Sequence, residues 1–183
     1  MSNDFECTNT VFKGLKIIKP FYVCDERGYF LKDFEKEIFD SFGMHSEIFE
    51  EFETFSTKNV IRGLHFQNKN PQIKIVRVIR GEIMDVVVDL RKNSETFGQW
   101  ASFILSNSNH DILWIPAGFA HGFRVLSDTA IVSYKCIGKY EKEYDTGIVW
   151  CDPILNIDWQ VDNPIVSNRD RKLPNFENFL EGI

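Results

Sequence analysis

The sequence predicts an all-β fold, an antiparallel sandwich or barrel. Short runs with strand character recur at intervals of roughly 8–12 residues, as strands of such folds do. Gly and Pro punctuate them. Only one stretch carries a convincing helical period, and no repeat, low-complexity tract or linker divides the chain. At 183 residues it reads as one domain, 1–183, large enough to bury a real core.

Val11-Phe12 and Leu15 to Ile18, separated by Gly14, read as an N-terminal strand or strand pair that ends at Lys19-Pro20. Phe21 to Val23 and Tyr29 to Leu31 flank a turn at Asp25-Glu26-Arg27-Gly28. Asp33 to Phe42 is the expected helix, with Phe34, Ile38 and Phe42 spaced i, i+4, i+8, Phe39 alongside, and Gly43 as C-cap. Ile48 to Ser56 returns to alternation. Its three glutamates favour an edge.

Ile73 to Ile79 and Ile83 to Leu90 alternate about a turn at Arg80-Gly81-Glu82. A period of two puts Asp85, Val87 and Asp89 on one face of the second run and Met84, Val86, Val88 and Leu90 on the other. A mid-strand charge such as Asp85 needs a partner or a function. Gly98 to Leu105, Asp111 to Ile115, His121 to Leu126 and Thr129 to Lys135 are further strands. Beyond Tyr144 the chain becomes loop-rich, and Phe176 to Ile183 forms a short helix or tail.

Composition narrows the function. The hydrophobic fraction of 43% is ordinary, and 17 Phe raise the aromatic share to 14%. A net charge of −6 and a pI near 5.3 argue against a general binder of nucleic acid or membrane surfaces. Lys135, Lys139 and Lys142, and the run Arg169-Asp170-Arg171-Lys172, are either solvated faces or functional patches. The four cysteines form no CxxC pattern, which fits reduced thiols in a cytosolic protein. Met1 to Glu6 has no signal-peptide character, and no apolar run is long enough to span a bilayer.

The chemistry gathers around Val60 to Gln67 and Pro71 to Lys74. His65 and His121 sit in Gly-flanked motifs, Arg-Gly-Leu-His and Pro-Ala-Gly-Phe-Ala-His-Gly, which let backbone approach closely. His45 and His110 lie in helix-end and turn contexts. Neither His65 nor His121 has the partner two residues on that an H-x-H…E metal site requires, so the reading favours a metal-free pocket. A histidine base, a carboxylate behind it, a cation for an enolate oxygen and a tyrosine on the other face make a set for inverting a stereocentre beside a carbonyl. Dinucleotide, P-loop and hydrolase-elbow motifs are absent.

Several segments, in order, carry a resemblance: Asp25 to Phe30, Val60 to Gln67, Pro71 to Val78, Arg80 to Glu82 with Asp85 to Arg91, Ile115 to Phe123, Gly147 to Pro153, Ile157 to Trp159, and Ser167 to Pro174. The chain resembles the dTDP-4-dehydrorhamnose 3,5-epimerase family, sugar-nucleotide epimerases of the cupin superfamily. The resemblance implies a cupin-type jelly-roll β-barrel with a few short helices. It implies a homodimer with exchanged N-terminal strands, a nucleotide-diphosphate-sugar substrate, and no metal or organic cofactor. The implied reaction inverts C3, C5 or both in a 4-keto-6-deoxyhexose. His65 would be the base with Asp170 as its dyad partner, Lys74 the enolate stabiliser and Tyr140 the general acid. Arg27, Phe30, Arg62 and His121 match positions that hold the nucleotide and its diphosphate, and Asp85 matches an acidic pocket residue.

The chain departs from the family pattern at Glu50-Glu51-Phe52, where a Gln-Asp-Asn-like segment is usual, and at Lys32, where an acid is usual. Gly138 to Glu143 lacks the usual Ser-Pro. These positions bear on which base is read and whether one carbon or two is inverted. Two other readings of the same residues are a metal-dependent cupin isomerase or dioxygenase using His65 and His121, and a non-catalytic sugar-nucleotide-binding cupin.

Overall fold

Alternating stretches become strands, and the strands become two facing sheets. The computed structural model describes residues 4–45 and 47–181. Met1 to Asn3, within the segment read for a signal peptide, and Gly182 and Ile183 of the expected C-terminal helix lie outside the described residues.

In chain order, β1 (Glu6–Asn9) and β2 (Lys16–Lys19) lead to the hairpin β3 (Phe21–Asp25) and β4 (Gly28–Lys32), then to α1 (Lys36–Ser41). The long strands follow: β5 (Ile48–Thr57), β6 (Val60–Gln67), β7 (Ile73–Arg80), β8 (Glu82–Asp89) and β9 (Trp100–Ser106). Next come β10 (Ile112–Ile115), β11 (Phe119–Val125), β12 (Thr129–Ile137) and the short β13 (Asp145–Gly147) and β14 (Ile165–Val166). A 3-10 turn (Asp170–Lys172) and α2 (Phe176–Glu181) close the described chain.

One sheet runs β1-β2-β10-β7-β12-β5 and the other β13-β6-β11-β8-β9. The β3–β4 hairpin forms its own two-stranded sheet. Apart from the parallel β14–β6 contact, pairing is antiparallel throughout. This is the expected jelly-roll barrel. β5 lies at a sheet edge, as its glutamates suggested.

Three apolar clusters account for the alternation. Val76, Val78, Ile83, Val87, Leu113, Phe123 and Val132 fill the space between the sheets. Met84, Val86, Val88 and Leu90, on the other face of β8, pack under Ile148, Leu155, Trp159 and Phe176 from the C-terminal segment. β8 is therefore buried on both faces, with charge only at Asp85 and Asp89 beyond its first residue. Phe39 of α1 covers Ile18, Ile75, Ile112 and Trp114 on the outside of the first sheet.

Two elements differ from expectation. Val11-Phe12 is not a strand. The Thr10 hydroxyl accepts the Phe12 N–H at 3.1 Å and ties a turn that drops the Phe12 ring against Phe119. The polar Glu6–Asn9 pairs with β2 instead. The helix expected over Asp33 to Phe42 begins only at Lys36, because Glu35 is extended and Asp33 is drawn to the Lys135 ammonium at 2.9 Å. Gly43 does terminate it, at φ +75°, with its N–H on the Asp40 carbonyl. Among the described residues, no helix is long and apolar enough to cross a membrane.

Asp89 fixes the end of β8. Its buried carboxylate accepts from the Arg91 backbone N–H and guanidinium and from the hydroxyls of Ser94 and Thr96, all within 3.0 Å. Burial pushes its carboxyl up, but these donors outweigh that and bring its pKa down to about 2. Asp89→Asn is expected to lower the unfolding free energy at pH 7 by about 1–3 kcal/mol in urea titrations. A depressed folded pKa means this stability is present above the unfolded value and lost as pH falls. The gap between variant and wild type should therefore narrow from about pH 4 toward about pH 2.

Candidate active site

The site begins where β6 and β11 approach unusually closely. A Cβ on Gly63 would lie 2.5 Å from the Gly122 Cα, and one on Gly122 would lie 2.6 Å from the Arg62 carbonyl oxygen. Only glycines allow this contact, and Gly63 adopts φ +125°. A register shift follows between His121 and Phe123, and His121 comes to pair directly with His65. The two histidines predicted to matter are thus neighbours on one sheet.

Each has a carboxylate behind it. His65 Nε2 lies 2.9 Å from Asp170 Oδ1. Asp170 is 4% exposed, and it also accepts the backbone N–H of Gly63 at 3.1 Å through Oδ2. Burial pushes the Asp170 carboxyl up, but its bonds from His65, Gly63 and Ser167 prevail and hold it below the ordinary range. An ionised Asp170 only accepts, so in the neutral imidazole Nε2 carries the proton and Nδ1 the lone pair. His121 Nε2 lies 2.8 Å from Asp85 Oδ2, and both residues are buried. The other oxygen of Asp85 is buried without a hydrogen-bond partner. Burial drives the Asp85 carboxyl upward against the pull of His121 and Lys74.

The opposite sheet supplies Lys74 and Tyr134. Among the described residues, no carboxylate lies within ion-pair distance of the Lys74 ammonium. Burial lowers its pKa, partly offset by the charges of Asp145, Asp85 and Glu50. Tyr134 is buried, stacks on Phe52 at 4.7 Å and meets the His121 ring edge-on at 6.1 Å. Burial and the Asp85 charge push its phenol well above the usual value, so it stays protonated.

Two cavities with shared walls lie among these groups. An outer cavity of about 340 Å³ is lined by His65, Lys74, Glu50, Phe52, Cys136, Tyr140 and others. An inner lobe of about 160 Å³ shares His65, Lys74 and Phe52 and adds Arg62, His121 and Tyr134. Arg62 is braced by the Ser56 hydroxyl at 2.9 Å and the Phe55 carbonyl at 3.1 Å. Tyr140 is 45% exposed at the mouth and donates to Asp145 at 2.9 Å, which also takes the Arg169 guanidinium at 2.8 Å. Among the described residues, no group of three or more His, Cys, Asp or Glu is placed to hold a metal ion.

Seven of the nine expected residues therefore converge: His65, Asp170, Lys74, Tyr140, Arg62, His121 and Asp85. Arg27 and Phe30 do not. They sit on the β3–β4 hairpin beside a separate surface dent, with Arg27 paired to Asp25 at 2.5 Å. Tyr134 and Asp145 were not singled out from sequence. Alternation through Val132, Tyr134 and Cys136 was the available signal for Tyr134, since it places a phenol inside the barrel. Of the basic groups noted, Arg169 reaches the cavity, whereas Lys135 pairs with Asp33 and Glu51.

A carboxylate-backed histidine, an unpaired lysine and a protonated phenol around one cavity are groups for moving protons beside a carbonyl. Barrel and site together define an isomerase of the cupin type. The family model described as dTDP-4-dehydrorhamnose 3,5-epimerase matches residues 9–178. A dTDP-4-dehydrorhamnose 3,5-epimerase of Methanothermobacter thermautotrophicus is 50% identical over 171 residues, covering 92% of each chain. A Legionella pneumophila dTDP-6-deoxy-D-glucose-3,5-epimerase, solved in complex with dTDP-4-keto-L-rhamnose, superposes with a TM-score of 0.91 at 40% identity, over 95% of this chain and 94% of that one. A Bacillus anthracis dTDP-4-dehydrorhamnose 3,5-epimerase, solved with TDP and PPi, gives 0.91 at 40% identity over 94% and 99%. The chain belongs to the dTDP-4-dehydrorhamnose 3,5-epimerase family, nucleotide-sugar isomerases of deoxysugar biosynthesis.

The glycine contact is open to test. Gly122→Ala is expected to cost on the order of 2–4 kcal/mol in chemical denaturation, because its Cβ meets backbone that cannot swing aside. Gly28→Ala separates crowding from backbone strain: its φ is +119°, unlike that of Gly122, and its Cβ meets nothing within 4 Å.

Proposed function

We propose that this chain, as one domain over 1–183, epimerises a dTDP-linked 4-keto-6-deoxyhexose at C3 and C5. The observation that carries the reading is the Asp170-backed His65 on one sheet facing Lys74 and Tyr134 on the other across a shared cavity. The C4 ketone acidifies the C–H bonds on either side of it. His65 Nδ1 takes the proton from C3 or C5, and the electron pair moves into a C4 enolate. Asp170 holds the ring in this tautomer and stabilises the imidazolium. Lys74, beside the His121–Asp85 pair, receives the enolate oxygen. A phenol on the opposite face delivers a proton to the carbon, which inverts it.

The resemblance gave that proton donation to Tyr140. We assign it to Tyr134, whose buried hydroxyl shares the inner lobe with His65 and Lys74. Tyr140 stands at the mouth with its O–H on Asp145, suited to the nucleotide end of the substrate. Arg62 and Arg169 bring cations for the diphosphate. Glu50 and Phe52 line the cavity where the family pattern has a Gln-Asp-Asn-like segment. A carboxylate accepts from a thymine imide N–H as an amide oxygen does, so this departure is compatible with thymidine.

We also propose a homodimer with exchanged N-terminal strands. The exposed hairpin carries Arg27 and Phe30, and exchange would deliver them to the partner's cavity as further nucleotide contacts. A cytoplasmic location suits the four free cysteines.

Proton NMR in deuterated water with dTDP-4-keto-6-deoxyglucose tests the reaction. Loss of both the C3 and C5 signals is expected, and no exchange at either carbon would overturn the assignment. His65→Ala should lower turnover by at least about 100-fold while dTDP binding persists. Tyr134→Phe should keep solvent exchange but lose inversion, whereas Tyr140→Phe should invert normally with weaker substrate binding. The reverse pattern would return the acid role to Tyr140.

A further inference from the structure

Gln67 lies on β6 two residues beyond His65, so both side chains leave the strand on one face and both line the cavity. Its side chain is buried, and its carboxamide is fully engaged. Nε2 donates to the carbonyls of Asn70 at 2.8 Å and Lys139 at 3.2 Å. Oε1 accepts the backbone N–H of Glu141 at 2.6 Å. The carbonyl of residue 139 and the N–H of residue 141 bracket Tyr140.

That segment needs holding. Ladder pairing of β12 stops at Ile137, and β13 begins only at Asp145. Between them, the side-chain amides of the β6–β7 connection take the place of a neighbouring strand. Gln72 Nε2 donates to the Gly138 carbonyl at 2.9 Å, and Asn70 Nδ2 to the Glu141 carboxylate at 2.7 Å. Gln67 is the buried centre of this set, and it ties the Tyr140 segment to the strand that carries His65.

We infer that Gln67 is a positioning residue for the epimerase site: its carboxamide fixes Tyr140 at the cavity mouth relative to His65, and so sets how tightly the nucleotide sugar is held. The inference rests on the proposed place of Tyr140 at the nucleotide end. The residue type follows from the bonds. Two donors and one acceptor at this reach require a glutamine. A glutamate there would aim acceptors at two carbonyls, and an asparagine falls a methylene short.

The test compares wild type with Gln67→Met, which keeps the length and removes the polar groups. Trypsin probes the segment directly, because Lys139 and Lys142 lie in it. Gln67→Met should be cut at these lysines faster than wild type under native conditions. Its dTDP affinity by calorimetry should weaken and its KM rise by about tenfold, with kcat held within about twofold. In a Tyr140→Ala background, Gln67→Met should add nothing further. Unchanged KM and trypsin sensitivity, a fall in kcat that matches the rise in KM, or effects that add to those of Tyr140→Ala would each overturn the inference. Gln67→Glu keeps the shape and is read by the same criteria if Gln67→Met does not fold. If wild type neither binds dTDP nor turns over, the proposed function has failed, while the trypsin comparison still judges the clamp.

Discussion

Asp85 sets the terms for the barrel interior. Its carboxylate is fully buried on β8, with His121 on one oxygen and no hydrogen bond on the other. A charge in that position needs compensation from nearby, because the apolar core offers none. The compensation comes from both sheets, from His121 on β11 and from the field of Lys74 on β7. Once these groups are committed, the barrel cannot fill this end with aliphatic side chains as it does around Val76, Val87 and Val132. A polar cavity follows at one end and a dry core elsewhere.

The same charges explain how an acidic protein can serve an anionic substrate. The chain carries a net charge of −6, which repels a diphosphate at long range. Within the cavity the balance is local. Arg62, Lys74 and Arg169 line it, while Asp145 is occupied by Tyr140 and Arg169, and Glu50 by the Gln72 amide at 3.0 Å. Lys74 keeps its ammonium free of any ion pair among the described residues. A cation not held in such an ion pair is available to an oxygen that gains charge during the reaction.

What could be read from sequence tracks the range of the forces involved. Strand alternation is local, so β7, β8, β11 and β12 were legible, as was the burial of Asp85. His65 stood out through its flanking glycines. Asp170, 105 residues away from His65, was reached only through the resemblance, because nothing local marks it as a dyad partner. Tyr134 was passed over because one aromatic in an apolar strand reads as core. The start of α1 was misjudged because an ion pair with Lys135, 102 residues on, overrides helical spacing at Asp33.

The barrel itself answers the geometric demand of the proposed reaction. Inversion needs a base on one face of a flat enolate and an acid on the other. One side chain cannot supply both from a single position. Here His65 and His121 project from β6 and β11 of one sheet, and Lys74 and Tyr134 from β7 and β12 of the other. Facing sheets stand about 10 Å apart, enough for a sugar ring between two side chains and too little for a layer of water on either face. Because each group is carried by a paired strand rather than a loop, its distance from the opposing group is set by the core packing beneath. The apolar cluster that includes Val78, Leu113, Phe123 and Val125 therefore also fixes the separation of the groups on the two sheets.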